Sequence, residues 1–134
     1  MDPLLIVQKM MKDDLFSQWL RIKIIKVVPG ECIINAMIEE KMTNGFKIAH
    51  GGICYSLADS CLAFAANAKG HIALTKESST KYFKKVQVGD FLTVHAFSDT
   101  NLNKRYMVNI TNQNNEKVAE LEAEVHYTST KWVE

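Results

Sequence analysis

The stretch from Ile53 to Ala68 constrains this chain more than any other. It reads Ile53-Cys54-Tyr55-Ser56-Leu57-Ala58-Asp59-Ser60-Cys61-Leu62-Ala63-Phe64-Ala65-Ala66-Asn67-Ala68. It shows no strict alternation and is rich in alanine, the strongest helix former. Gly51 and Gly52 stand before it, and Lys69-Gly70 follow as a basic last turn and a glycine cap. The pattern predicts a helix over 51–69. Its apolar residues lie on every side, and a helix that is apolar all round is a buried one. In a chain of 134 residues, something must wrap it.

The remaining segments supply the wrapper. Residues 3–11 read as a short helix that Asp13 and Asp14 interrupt. Residues 22–28 are rich in β-branched side chains. Pro29-Gly30 is a turn signal, and Cys32, Ile34, Ala36 and Ile38 then alternate, so 22–41 reads as a hairpin. After the long helix, 72–84 forms a strand. Leu92, Val94 and Ala96 alternate in the next, Tyr106, Val108 and Ile110 in a third, and Ala119 through Tyr127 in a fourth, with Glu120, Glu122 and Glu124 facing away. Gly89-Asp90, Asn101-Leu102-Asn103 and residues 112–115 mark the turns between them. The expected fold is α+β, a curved and largely antiparallel sheet around one central helix. With no linker or repeat, residues 1–134 read as a single domain.

Composition removes several functions. A net charge of +1 with no basic stripe gives no reason to expect nucleic acid as a partner. Cys32, Cys54 and Cys61 are odd in number and lack metal-ligand spacing, as do His71, His95 and His126. These features predict neither disulfide nor metal, no cofactor, and a reducing compartment. The N-terminus lacks a signal-peptide pattern, and no apolar run approaches the roughly 20 residues of a membrane span. A cytoplasmic protein without a membrane partner is the expectation.

Chemistry concentrates at the start of the long helix. Gly51 and Gly52 leave backbone N–H groups unobstructed, and those groups have no partner within the helix. The helix dipole adds positive character there, which suits an oxyanion or a polarised carbonyl. A glycine turn that merely starts a helix would look the same. Asp59 adds weight, being the one charged side chain between Gly51 and Ala68. A half-buried carboxylate holds its proton more tightly and becomes a better base, although a narrow solvated stripe would also accommodate it. Eight residues of helix put Asp59 roughly 12 Å from Gly51. One substrate carbonyl cannot meet both within a single chain. Two copies with antiparallel helices bring the Asp59 of one to the glycine turn of the other, in a homodimer or a homotetramer of two such dimers.

Asn44-Gly45, His50-Gly51-Gly52, Leu57-Ala58-Asp59 and Ala66-Asn67 together resemble the PaaI-like branch of hotdog-fold thioesterases. The likeness spans about residues 15–128 and includes Pro29-Gly30-Glu31, Thr75 to Lys85 and Gly89-Asp90. The resemblance implies hydrolysis of acyl-CoA thioesters, aryl-acetyl or medium-chain ones among them. It implies Asp59 as general base or nucleophile, Gly51 N–H as oxyanion donor, Asn44 as orienter of substrate or water, and His50 as brace of the loop and thioester. Gly52 and Thr75 would contact substrate. Lys84-Lys85 stand where many relatives carry Arg-Pro, and either meet CoA phosphates or form a solvated pair. Cys54 and Cys61 read as small hydrophobes rather than nucleophiles. The competing reading is a non-catalytic acyl-CoA sensor on the same fold, which would need none of Asn44, His50 and Asp59. A hotdog dehydratase would place histidine and acid in motifs that are absent here.

Overall fold

The computed structural model describes residues 1–99 and 103–133. Helix α1 (Pro3–Asp13) and the short α2 (Leu15–Trp19) precede β1 (Lys23–Val28) and β2 (Glu31–Met37). A single 3-10 turn at Glu40–Met42 leads to α3 (Gly51–Asn67). Then come β3 (His71–Tyr82), β4 (Phe91–Ser98), β5 (Arg105–Thr111) and β6 (Lys117–Lys131). The expected succession of helix, hairpin, long helix and four strands is present. Asp14 both ends α1 and caps α2 by accepting from the Ser17 N–H, so the acidic pair starts a second helix as well as stopping the first. Of the predicted turn at Asn101-Leu102-Asn103, the first two residues lie outside the described residues, and Asn103 is in a turn before β5.

Gly30 takes φ +81° in the β1–β2 turn, as the Pro-Gly signal requires. The six strands form one antiparallel sheet in the order β1-β2-β4-β5-β6-β3. Sequential pairing holds for β1–β2, β4–β5 and β5–β6. It fails for β3, which crosses to the far side of β6 and forms the sheet edge, leaving β2 to pair with β4. The crossover follows from α3: a chain leaving the end of a 17-residue helix re-enters the sheet where that helix ends.

Helix α3 lies on the concave face. Leu57, Cys61, Leu62 and Phe64 are at most 1% exposed, within one core that includes Ile34, Val94, Val108 and Leu121. Burial of each such large side chain contributes about 1.5–3 kcal/mol against conformational entropy. The helix is not enclosed on every side, however. Gly52, Tyr55, Ser56, Asp59, Ser60 and Ala63 recur every three or four residues and form a stripe that reaches the surface. Asp59 sits on that stripe, between α1 and the sheet edge. The end of α3 also departs from expectation. Its cap is Ala68, and Gly70, at φ +109°, lies beyond, with its N–H on Asn67 O.

Candidate active site

The loop before α3 is built by its own polar groups. Asn44 Oδ1 accepts from Phe46 N–H at 2.9 Å, and Asn44 N–H donates to Ile48 O at 2.8 Å, closing a tight turn. Ala49 N–H reaches Val86 O at 2.7 Å, which ties the loop to the segment after β3. His50 is the N-cap of α3: its Nδ1 accepts from Gly52 N–H at 3.0 Å. That bond fixes the ring proton on Nε2 and leaves Nε2–H as the donor. It also occupies the Gly52 N–H. The Gly51 N–H has no partner among the described residues and is the open donor of the helix terminus.

Asn44, His50, Gly51, Lys84 and Lys85 line one cleft of about 350 Å³ together with Cys54, Tyr82 and Phe83. The sequence reading thus brings five of its site residues to one place. The two lysines differ. Lys84 pairs with Glu116, and that contact holds the Glu116 carboxyl below its usual range. Lys85 has no ion-pair partner among the described residues and is the cation left to the cleft.

Asp59 does not line this cleft. Thr75 Oγ1 on β3 donates to Asp59 Oδ1 at 3.2 Å. Burial pushes the Asp59 carboxyl above the ordinary carboxylate value; the Thr75 bond pulls it down, and the charge of Asp14 pushes it up again. Asp14 is held in place by Ser17, fully buried, whose Oγ lies 2.6 Å from Asp14 Oδ2 and 2.8 Å from Ser60 Oγ. This Asp14–Ser17–Ser60 chain is not legible in the primary structure, because its members meet only when α2 docks on α3. Tyr82 was missed for a similar reason. Its hydroxyl donates to Gly51 O at 2.8 Å, bracing the first turn of α3 from the end of β3. A hydroxyl-bearing aromatic just ahead of the two lysines was the available signal, but the strand's path over the helix start is tertiary.

The thiols fit no nucleophile. Cys54 is buried with its thiol pushed up to about 11, and burial drives Cys61 well above its ordinary value. Among the described residues, no three metal-ligating side chains cluster.

This geometry meets known proteins at several points. Residues 46–99, which include the glycine turn, the helix and Thr75, match the thioesterase superfamily profile. A chain from Archaeoglobus fulgidus that carries an esterase name is 30% identical over 113 residues, covering 82% of this chain and 73% of that one. The chain belongs to the thioesterase superfamily. The acyl-coenzyme A thioesterase PaaI of Escherichia coli is 29% identical over 122 residues, covering 87% of this chain and 85% of that protein. The E. coli PaaI structure superposes with a TM-score of 0.91 at 26% identity, over 96% of this chain and 95% of that one. These matches put the thioesterase on the PaaI-like branch and its fold in the hotdog class. A Streptococcus mutans structure with acetyl-CoA bound shares the fold at a TM-score of 0.78 and 24% identity, over 83% of this chain and 91% of that one.

Proposed function

We propose that this protein hydrolyses acyl-CoA to the free acid and CoA at a site shared by two copies of the chain. The observation that carries the reading is the separation of two half-sites on one helix. The open Gly51 N–H, His50 and Asn44 occupy the cleft at the start of α3, while Asp59 and Thr75 stand two turns further on and outside it. Each half lacks what the other has. β3 offers a means of joining them: it is a 12-residue strand at the sheet edge, with Leu74, next to Thr75, 60% exposed. An edge strand of that length, paired with β6 on one side only, favours pairing with a second copy on the other, and two-fold pairing makes two equivalent sites.

In such a site the thioester carbonyl oxygen accepts from the Gly51 N–H, whose donor is worth most as negative charge develops. His50 Nε2–H is a second donor beside it, and Asn44 orients the substrate or the water. Asp59 takes a proton from water as the water oxygen attacks the carbonyl carbon. The tetrahedral intermediate collapses with cleavage of the C–S bond, and the CoA thiolate leaves and is protonated. Alternatively the Asp59 carboxylate attacks the carbonyl carbon directly, the C–S bond breaks and the CoA thiolate leaves and is protonated, and water then opens the mixed anhydride to free acid and Asp59 carboxylate. The raised affinity of Asp59 for protons suits it to the base role, and Thr75 holds the carboxylate in place. Lys85 supplies charge for CoA phosphates.

The test is a turnover screen across short, long and aryl acyl-CoAs for the parent and Asp59→Asn. The variant keeps size and polarity, and its kcat is expected to fall by at least about a hundredfold. Turnover within a few-fold of the parent rules out Asp59 as base or nucleophile. In a single turnover in 18O-water, acid that carries an unlabelled aspartyl oxygen shows an anhydride opened at the Asp59 carbonyl, whereas base catalysis and opening at the acyl carbonyl both label the acid; trapping of an acyl-enzyme with hydroxylamine separates those two. Sedimentation at assay concentration tests the assembly, since a fully active monomer excludes the shared site.

A further inference from the structure

Two hydrogen bonds meet on one peptide group at the start of α3. Tyr82, the last residue of β3, donates its hydroxyl to Gly51 O at 2.8 Å. The same peptide group carries the Gly52 N–H, which donates to His50 Nδ1 at 3.0 Å. A donor on the carbonyl side of a peptide and an acceptor on its N–H side polarise it in the same direction, and hydrogen bonds linked in this way strengthen one another. The imidazole extends the chain, because an acceptor bond at Nδ1 leaves the ring proton on Nε2. The Tyr82 hydroxyl, the Gly51–Gly52 peptide and the His50 ring are thus joined head to tail, ending at Nε2–H.

The two glycines keep these approaches open. A methyl group at Gly52 would lie 3.2 Å from His50 Nδ1, and one at Gly51 would lie 3.6 Å from the Tyr82 hydroxyl. Tyr82 itself is held by the sheet rather than by the loop it touches. It pairs with Ala119 of β6, and the next two N–H groups, those of Phe83 and Lys84, both donate to Val118 O. Burial, with Cys54 and Tyr55 nearby, raises the proton affinity of the Tyr82 hydroxyl, so it stays a donor through the neutral range. Tyr82, His50 and Gly51 line the same cleft.

We infer that Tyr82 is a positioning residue for the hydrolysis, acting through the Gly51–Gly52 peptide to orient and strengthen the His50 Nε2–H donor. The inference rests on the thioesterase reading above, in which that donor meets the thioester oxygen. Tyr82 touches no reacting atom. A brace that only held the helix start would serve the Gly51 N–H whether or not His50 were present. A relay has no effect without the His50 ring.

The experiment is a double-mutant cycle of Tyr82→Phe and His50→Asn, with kcat and KM measured on an acyl-CoA that the parent turns over and with thermal melts alongside. Tyr82→Phe removes one hydroxyl from an exposed residue that faces an exposed glycine, so water takes its place and Tm should stay within about 4 °C of the parent. A donor to the oxyanion is worth about 10²–10³ in kcat, and polarisation passes on roughly 10–30% of a bond's strength. The kcat of Tyr82→Phe should therefore fall about fivefold with KM nearly unchanged. In the His50→Asn background the same change should cost less than about 1.5-fold. The nitrogen-15 signal of His50 Nδ1 should move downfield in Tyr82→Phe, as it does when an acceptor nitrogen loses hydrogen-bond strength. A 3-fluorotyrosine in place of Tyr82 keeps the ring and is a stronger donor, so it should move that signal the other way, and it decides the matter if Tyr82→Phe melts early. Equal losses of kcat in both backgrounds, or an unmoved Nδ1 signal in the folded variants, overturn the relay while leaving the thioesterase reading intact. A parent that hydrolyses no acyl-CoA overturns both.

Discussion

His50 is asked to do two things, and a pair of substitutions separates them. Its Nδ1 caps α3 through one 3.0 Å bond to Gly52 N–H, and its Nε2–H is left for the substrate. His50→Ala removes both. The capped N–H is at an exposed residue, so water replaces the lost acceptor and no buried group is orphaned. The cost is therefore that of an ordinary N-cap, about 1 kcal/mol. For a domain of this size that lowers Tm by about 4 °C. Activity should fall much further, because the turn carrying the Gly51 N–H loses its anchor. A displacement near 1 Å at a reacting group costs on the order of a hundredfold. His50→Asn supplies a side-chain oxygen that ranks among the best N-caps, so Tm should return to within about 1 °C of the parent. It carries no equivalent of Nε2–H, so kcat should stay low. Circular-dichroism melts and a thiol-release assay on the same preparations measure both quantities. His50→Ala melting like the parent would show that the cap contributes nothing. His50→Asn with parental kcat would refute a role for the ring beyond capping.

Asp59 gives a pH signature. Its folded carboxyl binds protons more tightly than in the unfolded chain, so its contribution to stability is present at low pH and is lost as pH rises through the folded value. Asp59→Asn should therefore raise Tm at pH 7 and make little difference below pH 3; a variant less stable at pH 7 contradicts the buried-carboxylate account. Because Asp14 adds to the upward shift, Asp14→Asn should move the acid limb of the kcat–pH profile to lower pH, and an unmoved limb would remove Asp14 from the site. Lys85→Ala should raise KM for acyl-CoA, most at low salt, with kcat nearly unchanged, while Lys84→Ala, whose partner is Glu116, should do so less; equal effects would refute the distinction. Asn67→Leu leaves the Ala73 N–H, held now by Asn67 Oδ1, without its side-chain acceptor and should destabilise by about 3 kcal/mol in urea unfolding, whereas a loss under 1 kcal/mol would mean that the helix end and β3 repack.

The sequence alone determined the elements and the chemistry carried on one local segment. Period-two alternation fixed β2, β4, β5 and the inward face of β6, and alanine-rich continuity fixed α3, because those patterns act within a few residues of backbone geometry. Asn44, His50 and Gly51 were legible as a group because they lie within eight residues of each other, on the turn that starts a helix. The rest depended on distance through space. Periodicity carries no information about which strand lies beside which, so the crossing of β3 to β6 was hidden, and with it the Thr75 contact to Asp59 and the Tyr82 brace on Gly51. Composition suggested a helix buried on all sides; only packing revealed the stripe from Gly52 to Ala63, because which face a sheet leaves uncovered is decided by where its edge falls. The two lysines are identical in sequence terms, and tertiary structure alone gave one of them to Glu116 and left the other to the cleft.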